Sequence, residues 1–149
     1  MITSLWKGYK RYDFVVYGRD GLVIVPDVPA AGNPWVWRAE FFDAFAQVEM
    51  AMLEKGWYLA YYKVSDMYGC PEAIRLMNAF QYDVEKEFDL SKKTVLFGFS
   101  RGGFYSFNYA AEHLCSCIQR KCRDSYQTVY GFGQRNQSDC EAGSRTSSA

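Results

Sequence analysis

A glycine-flanked serine between a strand-like and a helix-like segment constrains this chain more than any other feature. Residues 94–98, TVLFG, form a short apolar run typical of a buried strand, and Ser100 follows within Gly98-Phe99-Ser100-Arg101-Gly102-Gly103. Residues 102–114 are then a helix candidate. A serine on such a sharp corner needs small neighbours, because its strained backbone leaves no room for their side chains. Strand, Gly-x-Ser-x-Gly and helix together are typical of a nucleophile elbow.

A glycine-rich turn between a strand and a helix can also bind phosphate or simply connect the two elements. A turn that binds phosphate is disfavoured, because the segment lacks both the Gly-x-Gly-x-x-Gly order and a Gly-Lys-Ser/Thr ending. A turn that merely connects a strand to a helix remains open. The elbow is favoured because a strand–helix series precedes it.

Strand-like and helix-like segments alternate over the first 114 residues. Gly18-Arg19-Asp20-Gly21 separates two strand-like runs and predicts an antiparallel hairpin. The predicted strands lie near residues 10–17, 21–26, 57–64 and 93–98, and the predicted helices near residues 39–55, 71–88 and 102–114. This order predicts an α/β fold with a mostly parallel sheet, an N-terminal hairpin and helices on both faces.

The composition changes after His113. Residues 115–149 contain few aliphatic side chains and many Ser, Arg, Gln and Gly, without a sustained period. Such a segment buries too little apolar surface to offset its conformational entropy. We therefore expect a folded domain over residues 1–114 and an irregular or disordered tail over residues 115–149.

Charge and hydropathy exclude several classes of partner. Seventeen basic and seventeen acidic residues cancel, so neither nucleic acid nor an anionic membrane surface is an expected partner. No apolar stretch approaches the ~20 residues of a membrane span, and the N-terminus lacks the apolar centre of a secretory signal, so we expect a cytoplasmic protein. The spacing of Cys115, Cys117 and Cys122 is not a usual zinc spacing, and neither a metal nor a cofactor is predicted.

Two motifs resemble those of a known family. The segment PWVWRAEFF, residues 34–42, and the segment GFSRGG, residues 98–103, occur together in a bacterial group of uncharacterised α/β-hydrolases. The resemblance runs from about residue 10 to His113, about two-thirds of the chain, and corresponds to the N-terminal half of such a hydrolase. It implies a partial α/β-hydrolase fold and an esterase-like serine hydrolase acting on a small-molecule ester.

The resemblance also implies roles for individual residues. Ser100 would be the nucleophile, within an elbow formed by Gly98, Gly102 and Gly103, and the backbone N–H of Arg101 would be one oxyanion donor. The second donor would come from residues 32–38, where we choose Trp37. Trp35 and Arg38 would line a substrate pocket, although a packing role for the tryptophan and a structural role for the arginine are equally open.

The acid and base of a catalytic triad are not found in this chain. Both should follow Ser100 in sequence, but the single histidine, His113, lies thirteen residues later on the same predicted helix. At about 1.5 Å per residue this is roughly 20 Å away, beyond the reach of a general base. Asp66 is better explained as a loop cap. Family members continue after the segment that ends at His113, so a truncated or frameshifted reading frame is expected.

Three functional hypotheses follow. The first is a serine hydrolase that is incomplete and inactive as this chain. The second is a non-catalytic binding or interaction module, and the third is a non-functional remnant of a hydrolase. Without later strands, the strand before Gly98 would be an exposed apolar edge through which the chain can self-associate.

Overall fold

A six-stranded sheet forms the core of the described part of the chain. We describe it from a computed structural model, which covers the backbone of residues 1–125 and the side chains of residues 1–113. Along the sheet the strands have the order β1-β2-β3-β5-β4-β6. The strands are β1 (Ile2–Trp6), β2 (Tyr9–Val16), β3 (Arg19–Val25), β4 (Trp35–Arg38), β5 (Tyr58–Tyr62) and β6 (Thr94–Phe97).

The prediction of a mostly parallel sheet, and with it the predicted fold class, is wrong. Strands β1, β2, β3 and β5 pair antiparallel in succession, and only the β4–β5 and β4–β6 pairs are parallel. Two tight reversals at the N-terminus produce the first two antiparallel pairs. The free edge of β3 then pairs with β5, so the parallel part of this mixed sheet is confined to β5, β4 and β6.

Among the described residues, three helices cover the two faces of the sheet. They are α1 (Gln47–Glu54), α2 (Pro71–Glu87) and α3 (Gly102–Ser125). Successive strand residues point to opposite faces, and β4 shows this directly. Trp35 and Trp37 pack in one buried cluster with side chains of α2 and α3, whereas Val36 packs in the other with Leu53 of α1.

Most element predictions are close to the observed bounds, with four differences. Strands β1 and β4 were not predicted, and the helix predicted for residues 39–55 is only the eight-residue α1, preceded by turns. Helix α3 continues to Ser125, beyond the boundary predicted at residue 114. Residues 126–149 of the predicted tail lie outside the described part of the chain, as do the side chains of the cysteines after residue 114.

Tyrosine hydroxyls attach α3 to the rest of the fold. Tyr105 donates to the backbone oxygen of Val64 at 2.8 Å and accepts from the backbone N–H of Tyr68 at 2.7 Å. Tyr109 donates to the side-chain oxygen of Gln81 on α2. Both tyrosines are buried, so the start of α3 is fixed in position by hydrogen bonds as well as by packing.

Burial of Tyr109 predicts a loss of stability at alkaline pH. Burial, followed by the charge of Glu85, raises the pKa of Tyr109 above its ordinary value of 10.0. The neutral form is therefore favoured by folding, and this contribution is complete below pH 10 and is lost as pH rises through the folded pKa. Tyr109→Phe should cost about 1 kcal/mol at pH 7 but make the decline above pH 10 shallower, as measured by urea unfolding. Tyr82→Phe, at an exposed site, is the control and should leave the alkaline decline unchanged.

Candidate functional site

Two loops meet at one edge of the sheet because β4 and β6 are parallel neighbours. Arg38, the last residue of β4, pairs with Phe97, the last residue of β6. The backbone N–H of Ala39 donates to the oxygen of Phe97 at 3.1 Å, so the pairing extends one residue into the loop. The segments that follow the two strands therefore leave the sheet side by side, at the carboxyl edge where α/β sheets bind ligands.

The first of these segments is the turn around Ser100. A strand directly precedes Gly98, as the elbow interpretation requires, and α3 begins only four residues later at Gly102. Ser100 is exposed and has a φ of 51°, in the left-handed region that non-glycine residues rarely adopt. The N–H of Gly102 donates to the oxygen of Phe99 at 2.8 Å and closes the turn. Strain of this kind is concentrated at functional sites.

Two of the three elbow glycines are required by space. A Cβ on Gly98 would lie 2.6 Å from the backbone oxygen of Gly102 and 2.6 Å from Oγ of Ser106. A Cβ on Gly102 would lie 2.9 Å from Cβ of Glu40, in the neighbouring loop. A Cβ on Gly103 would have no heavy atom within 4 Å. Close packing thus requires glycine at both ends of the Gly-x-Ser-x-Gly motif, Gly98 and Gly102, but not at Gly103.

The second segment, residues 39–46, is a loop with an unusual backbone, which we call the strained loop. Phe41, Asp43 and Phe45 have φ values of 51°, 70° and 54°. Non-glycine residues are uncommon in the left-handed region and bulky ones such as phenylalanine are genuine outliers there, yet here three such residues alternate within five positions. These dihedrals exclude the helix that was predicted to begin at residue 39. The surrounding structure must hold such a loop in place.

Arg38 holds the strained loop. Its Nε donates to the oxygen of Glu40 at 2.7 Å, and its Nη2 donates to the oxygens of Ala44 at 2.8 Å and Phe41 at 3.2 Å. Its Nη1 donates to Glu49 of α1 in a buried ion pair. With its side chain 1% exposed, Arg38 is placed in a structural role and not on the wall of a substrate pocket.

Glu40 and Arg101 link the strained loop to the elbow. Oε2 of the buried Glu40 accepts from Nε of Arg101 at 3.1 Å. The guanidinium of Arg101 also lies over the rings of Phe41, at 5.1 Å, and Tyr68, at 5.4 Å. The residue after Ser100 is thereby fixed against both neighbouring loops.

The two tryptophans predicted near the site are core residues. Trp35 is fully buried and its indole N–H donates to the oxygen of Ser91 at 2.8 Å. Trp37 packs against the rings of Trp35, Phe80 and Tyr109, at 5.7, 5.2 and 5.3 Å between centroids. Neither is placed to line a pocket at Ser100.

The backbone of Trp37 is not placed as an oxyanion donor either. It lies in β4, which is paired on both sides, so its N–H faces a neighbouring strand. Within residues 1–113 the backbone N–H groups of Arg101, Glu40 and Phe41 make no backbone hydrogen bond. The backbone N of Glu40 lies 3.3 Å from the position that a Cβ on Gly102 would take. These N–H groups, at the elbow and in the strained loop, are therefore candidate oxyanion donors.

Sequence reasoning missed Glu40 and Phe41 because β4 was assigned to a loop. The signal was the run Trp35-Val36-Trp37-Arg38, which is short but rich in residues that favour strands. A predicted strand that ended at Arg38 would have placed Glu40 and Phe41 at the carboxyl edge of the sheet and Trp37 within the strand.

No acid–base pair is brought to Ser100 by the described side chains. Nε2 of His113 lies 2.7 Å from Oδ1 of Asn78, and its ring lies against Tyr109. Asp66 accepts a hydrogen bond from Arg19 at 2.7 Å, which lowers the pKa of this exposed carboxyl. Among residues 1–113 no group of three or more His, Cys, Asp or Glu side chains could hold a metal ion.

Comparison with protein-family models, with curated proteins and with solved structures gave no match to this chain. In the described part of the chain, no helix is both long and apolar enough to cross a membrane.

Proposed function

We propose that Ser100 is the nucleophile of a serine hydrolase site that forms an acyl-enzyme with a small-molecule ester, and that this chain carries only part of that site. The observation that carries the proposal is the left-handed Ser100 between two glycines whose Cβ positions are blocked, at the carboxyl edge of β4 and β6. The motif resemblance to bacterial α/β-hydrolases is consistent with it, and the expected cytoplasmic location belongs to the same proposal.

The proposed reaction is acyl transfer. Oγ of Ser100 attacks the ester carbonyl while a base takes its proton. The tetrahedral intermediate then collapses, the base returns this proton to the leaving alkoxide, and the alcohol departs from acylated Ser100. The N–H of Arg101 and an N–H of the strained loop, from Glu40 or Phe41, stabilise the oxyanion. Without a base, only the residual effect of binding and the oxyanion donors remains, about 10³–10⁴-fold over water in well-studied cases.

Chemical rescue tests this proposal directly. The chain is treated with a fluorophosphonate, with and without imidazole, and its intact mass is measured. In the labelling step a P–O bond to Ser100 forms, fluoride leaves, and imidazole accepts the serine proton. We expect slow labelling that imidazole accelerates, none in Ser100→Ala, and no Ser100-dependent hydrolysis of p-nitrophenyl acetate without imidazole.

The controls separate the alternatives. Ser100 is exposed, so Ser100→Ala should change the free energy of unfolding by less than about 0.5 kcal/mol. Equal labelling of Ser100→Ala would overturn the proposal. Absence of labelling in a chain that melts cooperatively would overturn it in favour of a binding module, and absence of a cooperative melt would favour a remnant.

We also propose that the protein associates with copies of itself through the edge strand β6. Strand β6 is the last in the sheet order of the described residues and contains neither a charge nor a proline, two features that protect edges. Val95 is 43% exposed. We expect concentration-dependent association in sedimentation velocity, which Val95→Lys abolishes and Val15→Lys, at an exposed site on β2, does not. A wild-type chain that stays monomeric at all concentrations would contradict this.

A further inference from the structure

Three phenylalanine rings from the elbow and the strained loop meet beside Ser100. The ring of Phe99, the residue before the serine, lies edge-on to that of Phe41 at 6.1 Å between centroids. Phe45 approaches Phe99 from another side, at 5.4 Å. We call Phe41, Phe45 and Phe99 the phenylalanine cluster. It joins the two segments that the proposed reaction uses.

Core packing does not explain the phenylalanine cluster. Phe45 is 70% exposed and Phe99 is 39% exposed, and neither belongs to the two buried clusters of the fold. Phe41 and Phe45 also have left-handed backbones, which cost free energy in aromatic residues. The chain therefore accepts strain while it leaves apolar surface in water, a combination that indicates a binding role.

Two arginines hold two of the three rings in place. The guanidinium of Arg38 lies 5.4 Å from the ring centroid of Phe99, and that of Arg101 lies 5.1 Å from the ring centroid of Phe41. Both cations are paired with buried carboxylates, Arg38 with Glu49 and Arg101 with Glu40. Rings fixed in this way bind a ligand at little additional cost in side-chain entropy.

We propose that the phenylalanine cluster binds the apolar acyl group of the ester, a chain of several methylenes or a phenyl group, while the ester carbonyl faces Ser100. This inference rests on the proposed function. An apolar group is favoured because the ring surfaces are apolar and the nearby cations already have carboxylate partners. An acetyl group is too short to cover three rings, so the site should prefer longer acyl groups.

Binding of unreactive amides tests the acyl preference without requiring catalysis. Octanamide and acetamide share a head group and differ by six methylenes, and each is titrated into ¹⁵N-labelled protein. We expect octanamide to bind at least about tenfold more tightly, since each buried methylene adds to affinity, and to shift the backbone amides of Phe41, Phe45 and Phe99. Phe45→Ser should weaken octanamide binding at least about fivefold, whereas Val28→Ser, at another exposed apolar site, should not.

The outcomes separate this inference from the proposed function. Equal affinity for the two amides, or shifts confined to other residues, would overturn the acyl subsite even if Ser100 is labelled. If octanamide still binds to Ser100→Ala and the fluorophosphonate does not label the unsubstituted chain, the apolar binding site is supported and the serine hydrolase proposal is rejected. Cluster amides that shift with protein concentration and not with octanamide would identify a contact between copies, which also overturns the subsite.

Discussion

Arg38→Met is expected to lower the free energy of unfolding by about 3–5 kcal/mol, the range found when one partner of a buried ion pair is removed. The substitution leaves the Glu49 carboxylate buried without its cation, and three carbonyl oxygens of the strained loop lose their donor. A loss of this size is a large part of the stability of an ordinary domain. Urea unfolding followed by circular dichroism measures it.

A double variant keeps this prediction testable if the single one does not fold. One oxygen of Glu49 has no hydrogen-bond partner among the described residues, so the ion pair is imperfectly satisfied. Replacing both partners, as in Arg38→Met with Glu49→Leu, should recover more than half of the loss because no charge remains buried. Arg38→Met that costs less than about 1 kcal/mol, the typical effect of an ordinary point substitution, would contradict the structural role of Arg38.

Gly98→Ala is expected to cost about 3 kcal/mol, the upper part of the usual range for overpacking. The new methyl would lie 2.6 Å from the backbone oxygen of Gly102, which can move only if the start of α3 moves. Relief by a side-chain rotation is therefore not available. The same variant should slow fluorophosphonate labelling of Ser100, because a displaced helix start changes the turn.

Gly103→Ala is the matched control. It makes the same chemical change five residues away, at a helical position with no heavy atom within 4 Å of the new methyl. It should raise stability by about 0.5–1 kcal/mol, because alanine restricts the unfolded chain more than glycine does. Thermal and urea unfolding of both variants give the comparison. Equal effects of the two substitutions would mean that Gly98 is not confined as described.

The tight turn between β6 and α3 could be predicted from sequence because its determinants are local. Gly98 and Gly102 lie two residues before and two residues after the serine, and a short apolar strand precedes them. The strained loop could not be predicted. The spacing of Phe41, Phe45, Val48 and Met52 is typical of a helix, but the hydrogen bonds that Arg38 donates to carbonyl oxygens of the loop hold a different backbone conformation. The residues of α1 that are buried are instead Glu49 and Leu53.

The directions of the strands depend on contacts between residues distant in sequence, which the periodicity of the sequence does not reveal. Alternating strands and helices favour parallel neighbours, but β3 pairs with β5 through an edge that only the three-dimensional arrangement makes available. The same holds for the site. Ser100 was chosen as a candidate from its own neighbours, whereas pairing between β4 and β6 brings Glu40 and Phe41 to the same edge of the sheet.

The pairing of β4 with β6 also sets the order in which the protein can assemble. Trp35 and Thr94 are paired neighbours in the sheet but are about sixty residues apart in the chain. Closing so long a loop carries an entropic cost that the N-terminal hairpin does not face, and contacts of this range slow folding. Ser100 and the strained loop therefore come together only after this closure. We therefore expect their geometry to form late in folding, although Gly98 and Gly102, which permit it, are close together in sequence.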